Sequence, residues 1–282
     1  MKVYKIASIL LGFSHPENAM IDERLMEYET NEPPQYFMEV KYMPSIVIKE
    51  EVNEEHELIK TVECENETIV YTLDKKHQPI SRVTLSKTMD HISIELSQIL
   101  KNRIFMMEYI ITGMYFFEIA IYAGYLPLHA SAIIHQQEAI LFSAPSGVGK
   151  STQANLWTKY NKNVTYLNDD KPLLWCQEEI RVFGTPWCGK TLFHNNASAP
   201  LKAIIFIKQS KNNEVVSLTN EEKLIHLYKN THRSQIASNQ ENTIKNINDL
   251  IEKGSIIAFA CTNTQEAYHY LHQYLYGEPY ES

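Results

Sequence analysis

Residues 138–160 contain the pattern that constrains the fold most. An apolar, strand-like run at 140–143 leads into a glycine-rich turn at 144–149, and residues 150–160 have helical character. In this order, a strand, a flexible turn and a helix bring several backbone N–H groups to one point, together with the positive end of the helix dipole. Phosphate groups bind at such points. The segment therefore predicts an α/β domain that binds a nucleotide.

The turn and the start of the helix read Ala-Pro-Ser-Gly-Val-Gly-Lys-Ser-Thr, which matches the G-x-x-x-x-G-K-[ST] pattern except at its first position. Lys150 is expected to reach the β- and γ-phosphates of ATP, and Ser151 to hold Mg²⁺. Ala144 puts the loop entry in question, because alanine resists the left-handed backbone conformations that glycine adopts. The residues predicted to bind the nucleotide are Ser146, Gly147, Val148, Gly149, Lys150, Ser151 and Thr152.

Two carboxylates, Asp169 and Asp170, follow a short strand predicted at 164–167. One can serve the metal, directly or through water, and the other can act as a base toward a hydroxyl group. The same Asn-Asp-Asp sequence before Lys-Pro is also typical of a turn. The spacing does not decide which aspartate is the base, so both join Ser151 as predicted metal ligands.

Two residues outside these motifs complete the predicted catalytic set. His129 begins a strand that should lie beside the loop strand, whereas His135 is expected to be structural. Lys190 ends the segment 184–190, Gly-Thr-Pro-Trp-Cys-Gly-Lys, and its charge could neutralise a phosphate group. The alternative for that segment is an ordinary surface loop packed by Trp187. The predicted catalytic residues are His129, Lys150, Asp169, Asp170 and Lys190.

Hydrophobic periodicity divides the chain into two predicted domains, residues 1–103 and 104–282. The first contains short alternating runs, which predict a smaller, mainly antiparallel β domain. The second begins with a long apolar helix and then alternates strands with helices, which is typical of an α/β domain. Among its predicted elements are strands at 173–175 and 203–207 and a helix at 265–276. The predicted strands of the first domain lie at 37–48, 68–73, 80–85 and 92–96.

Composition narrows the classes of partner. The formal net charge is −8, and the 26 Lys and Arg residues are scattered, which argues against nucleic acid as a partner. The apolar stretch 105–126 is long enough to span a membrane, but Glu108 and Glu118 would each cost roughly 2.5–3.5 kcal/mol at the membrane centre. We therefore expect a buried helix and no membrane partner. Four widely spaced cysteines without a Cys-x-x-Cys pair suggest reduced thiols in a cytoplasmic protein.

The order His129, then the loop with Lys150 and Ser151, then Asp169–Asp170 resembles the kinase domain of HPr kinase/phosphorylase and, more distantly, phosphoenolpyruvate carboxykinase. The segments Leu-His-Ala-Ser at 128–131 and Gly-Thr-Pro-Trp-x-Gly-Lys at 184–190 resemble a branch found with peptide-modification genes, which includes serine kinases of lasso-peptide precursors. The resemblance covers roughly residues 104–210. It implies a P-loop fold of the HPr kinase and carboxykinase type preceded by the smaller β domain.

The resemblance also implies an activity, namely ATP- and Mg²⁺-dependent transfer of the γ-phosphoryl group to a serine hydroxyl of a peptide or small protein. It implies that His129, with Asp169 or Asp170, helps to deprotonate that hydroxyl. The basic segment of HPr kinases that removes phosphate is not recognisable after residue 190, so we expect a kinase without efficient phosphorylase activity. The family often forms oligomers, which makes a homo-oligomer an implied state. A small-molecule kinase acting on free serine or a nucleoside monophosphate, and a nucleotide-responsive regulatory protein, remain the alternatives.

Overall fold

The computed structural model describes residues 1–234 and 236–277, and its contacts divide the chain into two units, Met1–Ile119 and Ala120–Ser282. In the first unit, every residue of which is described, helix α1 spans Ala19–Leu25 and α2 begins at Ile104 and ends at Tyr122, beyond the boundary. The strands of this unit are β1 (Lys2–Ile6), β2 (Ile9–Ser14), β3 (Glu29–Thr30), β4 (Tyr36–Met43), β5 (Glu54–His56), β6 (Ile59–Glu63), β7 (Glu67–Leu73), β8 (Pro79–Ser86) and β9 (His91–Ser97).

These strands form one sheet in the order β3-β1-β2-β4-β9-β8-β7-β6-β5. Strand β4 is parallel to β2 and β9, and the other neighbours are antiparallel. Side chains alternate between a buried and a more exposed face, as in β9, where Ile92, Ile94 and Leu96 are buried. The sheet of this unit is thus mainly antiparallel, and the four predicted strands overlap β4, β7, β8 and β9.

The boundary between the units differs from the predicted one at residue 103. Glu108 in α2 is fully buried, accepts a hydrogen bond from Asn18 Nδ2 at 2.9 Å and another from the Tyr42 hydroxyl, and lies 3.1 Å from His15 Nδ1. These contacts hold the first part of α2 in the first unit. The boundary therefore falls after Ile119, within α2. The hydrophobic pattern changes where the helix begins, but the first part of the helix still packs in the first unit.

The segment Gln98–Tyr122 is long enough to cross a membrane, and its most apolar 18-residue window has a mean hydropathy of 1.5. In its most apolar window 67% of the residues are buried, as in a core helix of a soluble protein. The expectation of a buried helix is confirmed for about two thirds of this window. The four cysteines are free thiols.

The second unit combines a large sheet with four helices among its described residues, α3 (Lys150–Tyr160), α4 (Asn220–Asn230), α5 (Ala237–Lys253) and α6 (Gln265–Tyr276). Its described strands are β10 (Tyr125–Pro127), β11 (Ala130–His135), β12 (Glu138–Ser143), β13 (Thr165–Asn168), β14 (Leu173–Trp175), β15 (Arg181–Phe183), β16 (Ser198–Gln209), β17 (Glu214–Ser217) and β18 (Ile256–Cys261). With the β unit before it, the chain is a mixed α/β protein with two large sheets.

The main part of this sheet has the order β13-β11-β12-β16-β18-β17. Strands β12, β16 and β18 are parallel, and β11 is antiparallel to both β12 and β13. Ala139 and Leu141 of β12 pack in a core with α4 and α5, whereas Ile140 and Phe142 pack in a second core with α3 and α6. The strand is thus buried on both faces, as continuous apolar runs in parallel sheets require.

Candidate functional site

One edge of the second sheet gathers the polar residues predicted to be functional. Strands β12, β13, β16 and β18 end at this edge, and the antiparallel β11 begins there. Gln209, at the end of β16, donates from Nε2 to the Val148 carbonyl at 3.0 Å, and Gln153 of α3 donates to the Thr262 carbonyl at 2.8 Å. Ligands of α/β sheets bind at such carboxyl ends.

The glycine-rich loop, residues 144–149, adopts the backbone conformations for which its glycines are suited. Gly147 has φ +81° and Gly149 has φ +121°, both outside the range that side chains usually allow. Ala144 is buried and is not among the described non-glycine residues with positive φ. Alanine is therefore compatible with the loop entry, and the doubt raised by the sequence does not apply.

Helix α3 begins with Lys150 and Ser151 directly after the loop. No described side chain caps its amino end, so no capping side chain occupies the first backbone N–H groups of the helix. Lys150 is only 9% exposed, and its Nζ donates to the Ala144 carbonyl at 3.2 Å. Burial lowers the pKa of Lys150, while the charges of Asp170 and Asp169 oppose this effect. A buried cation at a helix amino end is suited to an anionic ligand.

The structure separates the two aspartates, which the sequence could not do. Asp169 is buried and accepts hydrogen bonds from Ser131 Oγ at 2.6 Å and from Thr191 Oγ1 at 3.1 Å. The Ser131 hydroxyl also lies 3.4 Å from Ser151 Oγ. Asp170 is half-buried, and its Oδ1 lies 3.3 Å from His129 Nε2. Asp169 thus belongs with the serine of α3, and Asp170 belongs with the histidine.

Asn168 holds the turn that contains the aspartates. Its Oδ1 accepts hydrogen bonds from the backbone N–H groups of Asp170 at 2.9 Å and Lys171 at 2.7 Å. Its Nδ2 donates to the Thr185 carbonyl at 2.8 Å, which ties the turn to the segment 184–190. The Asn-Asp-Asp segment is therefore a turn, and the turn presents the carboxylates. The two readings of this segment are compatible.

Segment 184–190 contacts the site through a glycine. A Cβ added at Gly189, which has φ +71°, would lie 3.2 Å from the Cβ of Asp170. Lys190 itself is exposed and forms no hydrogen bond or ion pair with any residue of 1–234 or 236–277. The structure thus brings together His129, Lys150, Ser151, Asp169 and Asp170. Lys190 has no polar contact with them, although its chain neighbours Gly189 and Thr191 contact Asp170 and Asp169.

His135 is 3% exposed and packs between aromatic rings, with centroids 5.5 Å from Trp157 and 4.9 Å from Tyr276. It lies in the core, as predicted for a structural histidine. Sequence reasoning did not single out Ser131, Thr191 and Asn168. Ser131 lay within the Leu-His-Ala-Ser motif and could have been chosen there, but no local signal marked Thr191.

Residues 92–262 match a family model described as "ScmC: SynChlorMet cassette protein ScmC". The match runs from β9 to just beyond β18 and includes every residue of the site described above. No curated protein matches the chain. The resemblance to HPr kinases stays a prediction. Because the matched residues make up more than half of the sequence, the chain belongs to the ScmC family of SynChlorMet cassette proteins.

Proposed function

We propose that the protein is an ATP-dependent kinase that transfers the γ-phosphoryl group to a serine hydroxyl of a peptide or small protein. One observation carries the proposal. The buried Lys150 and the half-buried Ser151, at the uncapped start of α3, lie within the same hydrogen-bonded and charged cluster as Asp169 and the His129–Asp170 pair. A cassette family is compatible with a role in peptide modification.

The loop residues Ser146, Gly147, Val148 and Gly149, with Thr152 of α3, would surround the phosphates with backbone N–H groups. Lys150 would supply positive charge at the transferred group, where it costs no reorganisation because the side chain is already held by Ala144. The lowered pKa of Lys150 would return toward its usual value as phosphate charge compensates for burial. ATP binding would thus be favoured by the cation that the fold buries.

The oxygen donors around Ser151 fit Mg²⁺. Ser151 Oγ and the Asp169 carboxylate are hard oxygen ligands linked through the Ser131 hydroxyl. The described residues do not gather three or more His, Cys, Asp or Glu into a metal-binding group. Mg²⁺ commonly binds with one or two protein ligands, substrate phosphates and water, so this small donor set is sufficient. When bound, Mg²⁺ neutralises charge on the phosphates.

Asp170 is assigned as the base. In the proposed reaction the acceptor hydroxyl forms a bond to the γ-phosphorus, the bond from that phosphorus to ADP breaks, and the hydroxyl proton passes to the Asp170 carboxylate. His129, 3.3 Å from Asp170 Oδ1, would orient this carboxylate. Asp169 would remain on the metal side, held by Ser131 and Thr191. We place the activity in the cytoplasm, where four free thiols remain reduced.

The experiment is a transfer assay with Mg²⁺ and ATP, read by mass spectrometry. It uses three conditions, namely no acceptor, free serine, and serine-containing peptides encoded beside the gene. We expect one added phosphate on a peptide, and we expect Lys150→Ala to abolish it. Lys162→Ala, an exposed lysine after α3, is the matched control and should keep full activity.

The outcomes separate the candidate functions. Full activity of Lys150→Ala would sink the assignment of the loop. Phosphate on free serine and not on peptides would indicate a small-molecule kinase. ATP binding without transfer to any acceptor would indicate a nucleotide-responsive regulatory protein.

A further inference from the structure

Two large apolar side chains are exposed beside the site. Leu192 is 53% exposed and Phe193 is 46% exposed, and we call this pair the apolar lip. The residue before them, Thr191, donates its hydroxyl to Asp169 Oδ2 at 3.1 Å. The lip is therefore continuous in the chain with a residue that contacts Asp169, the carboxylate proposed to bind the metal. Apolar surface at such a place often marks a binding site.

The lip is held in place on several sides. The Phe193 ring stacks on Tyr166 of β13, with centroids 4.6 Å apart and an interplanar angle of 14°. Tyr166 in turn donates its hydroxyl to Asn155 Oδ1 of α3 at 2.8 Å. Just beyond the lip, the Asn195 N–H donates to the Leu167 carbonyl at 3.0 Å. The exposed apolar surface is thus part of the fold, and ordering it on binding would cost little entropy.

The sheet order places the lip on the acceptor side of the loop. The loop follows β12, and β11 and β13 lie on one side of that strand while β16 and β18 lie on the other. The β16 side is polar, since Gln209 contacts Val148 and a Cβ at Gly149 would lie 4.0 Å from Asn263 Oδ1. The lip lies on the β13 side, together with Asp170. An acceptor hydroxyl that reaches Asp170 would approach from the side of the lip.

Resting on the proposed function, we propose that Leu192 and Phe193 bind an apolar side chain next to the acceptor serine. The acceptor is then a peptide segment with a leucine-like residue beside its serine. Free serine has no neighbouring residue whose apolar side chain could contact the lip, so this surface would have no use in a kinase of free serine. The lip would provide specificity, and the proposed catalytic groups would remain separate from it.

The test measures peptide binding, so that it does not depend on transfer. Two labelled peptides, Gly-Leu-Ser-Leu-Gly and Gly-Gln-Ser-Gln-Gly, are titrated with the full chain, Mg²⁺ and a non-hydrolysable ATP analogue, and binding is read by fluorescence anisotropy. Wild type should bind the leucine peptide about tenfold more tightly. Leu192→Gln should reduce this preference to within about twofold, because the lip loses an apolar side chain. The variant should still fold, because Leu192 is already more than half exposed and little packing is lost.

Two further variants complete the design. Phe193→Ser tests the second member of the lip. Val216→Ser changes a residue of β17 that is about as exposed as Phe193. Strand β17 lies at the edge of the sheet opposite β13, so this variant should retain the tenfold preference. ATP-analogue affinity is measured for all variants and should be unchanged.

Equal binding of the two peptides by wild type, including no binding of either at millimolar concentration, overturns the inference. Loss of ATP-analogue affinity in the lip variants, with the peptide preference unchanged, also overturns it and assigns the lip to the nucleotide. A lip-dependent preference without phosphoryl transfer would support the lip and contradict the proposed kinase function. The failures of the two proposals are therefore distinguishable.

Discussion

Replacing Ser131 by Ala tests whether a buried hydroxyl holds Asp169. Ser131 is fully buried, and its Oγ donates to Asp169 Oδ1 at 2.6 Å. A hydrogen bond to a charged group contributes about 1.5–3 kcal/mol net, and removing one oxygen leaves little empty volume. We therefore expect the free energy of unfolding to fall by about 1.5–3 kcal/mol. The proposed transfer rate should also fall, because Asp169 would retain the Thr191 hydroxyl and lose the shorter contact.

A double-mutant cycle with Asp169→Asn isolates the charge-assisted part of this bond. In the Asp169→Asn background, Ser131→Ala would remove a bond between neutral groups, which contributes about 0.5–1.5 kcal/mol. The cost of Ser131→Ala should therefore be about 1 kcal/mol smaller there than in wild type. Thr191→Ala is the comparison variant, and we expect a smaller loss because its contact is longer and less buried.

Urea denaturation followed by tryptophan fluorescence suits this measurement. All three tryptophans, at positions 157, 175 and 187, lie in the second unit, so their fluorescence reports on the unit that contains the site. Equal costs of Ser131→Ala in both backgrounds would refute the reasoning, since the hydroxyl would then not interact with the carboxylate charge. An unchanged stability and rate in the single variant would refute it as well.

Two other perturbations have defined outcomes. Gly189→Ala should lower the transfer rate by displacing the nearby carboxylate, whereas Gly277→Ala, with φ +70° and no atom within 4 Å, should cost only stability, about 1–2 kcal/mol. Equal loss of rate in both variants would contradict this. Burial lowers the pKa of His135 from 6.5, His272 lowers it further, and Glu138 raises it. As the pH falls, the unfolded chain therefore takes up a proton on this histidine before the folded chain does. The contribution of neutral His135 to the free energy of unfolding is thus fully present above pH 6.5 and is lost as the pH falls through the folded-state pKa. In His135→Phe the melting temperature should depend less on pH between about pH 7.5 and 5 than in wild type. The same pH dependence in both proteins would count against the role of burial.

Much of the second unit could be predicted because its elements are marked by local pattern. The predicted helices at 150–160 and 265–276 coincide with α3 and α6, and the predicted strand at 173–175 coincides with β14. Strand β16 was predicted only over its apolar centre. Its ends pair with β15 and β18, and such pairing depends on distant strands.

Several of the elements that were not predicted are short strands at the edges of the sheets. Strands β3 and β5 form the two edges of the first sheet, and β17 lies outside β18 in the second. Edge strands are half-solvated, so they lack the apolar alternation that marks inner strands. The first hairpin, β1 and β2, was also not predicted.

The sequence alone determined which residue types lie near the loop. The spacing of Gly147, Gly149, Lys150 and Ser151 defines the turn and the helix start, because backbone conformation and helix initiation depend on neighbouring residues. The aspartates could be placed at the end of the next strand because they directly follow its apolar run in the sequence. Their separate environments could not be predicted from that spacing.

Only the tertiary structure distinguished Asp169 from Asp170 and added Ser131 and Thr191 to the site. Ser131 is 38 residues and Thr191 is 22 residues from Asp169 in the chain, and both reach it because β11 pairs with β13 and the segment after Gly189 folds back over the sheet edge. Such contacts depend on strand order and register, which are set by packing across the whole sheet.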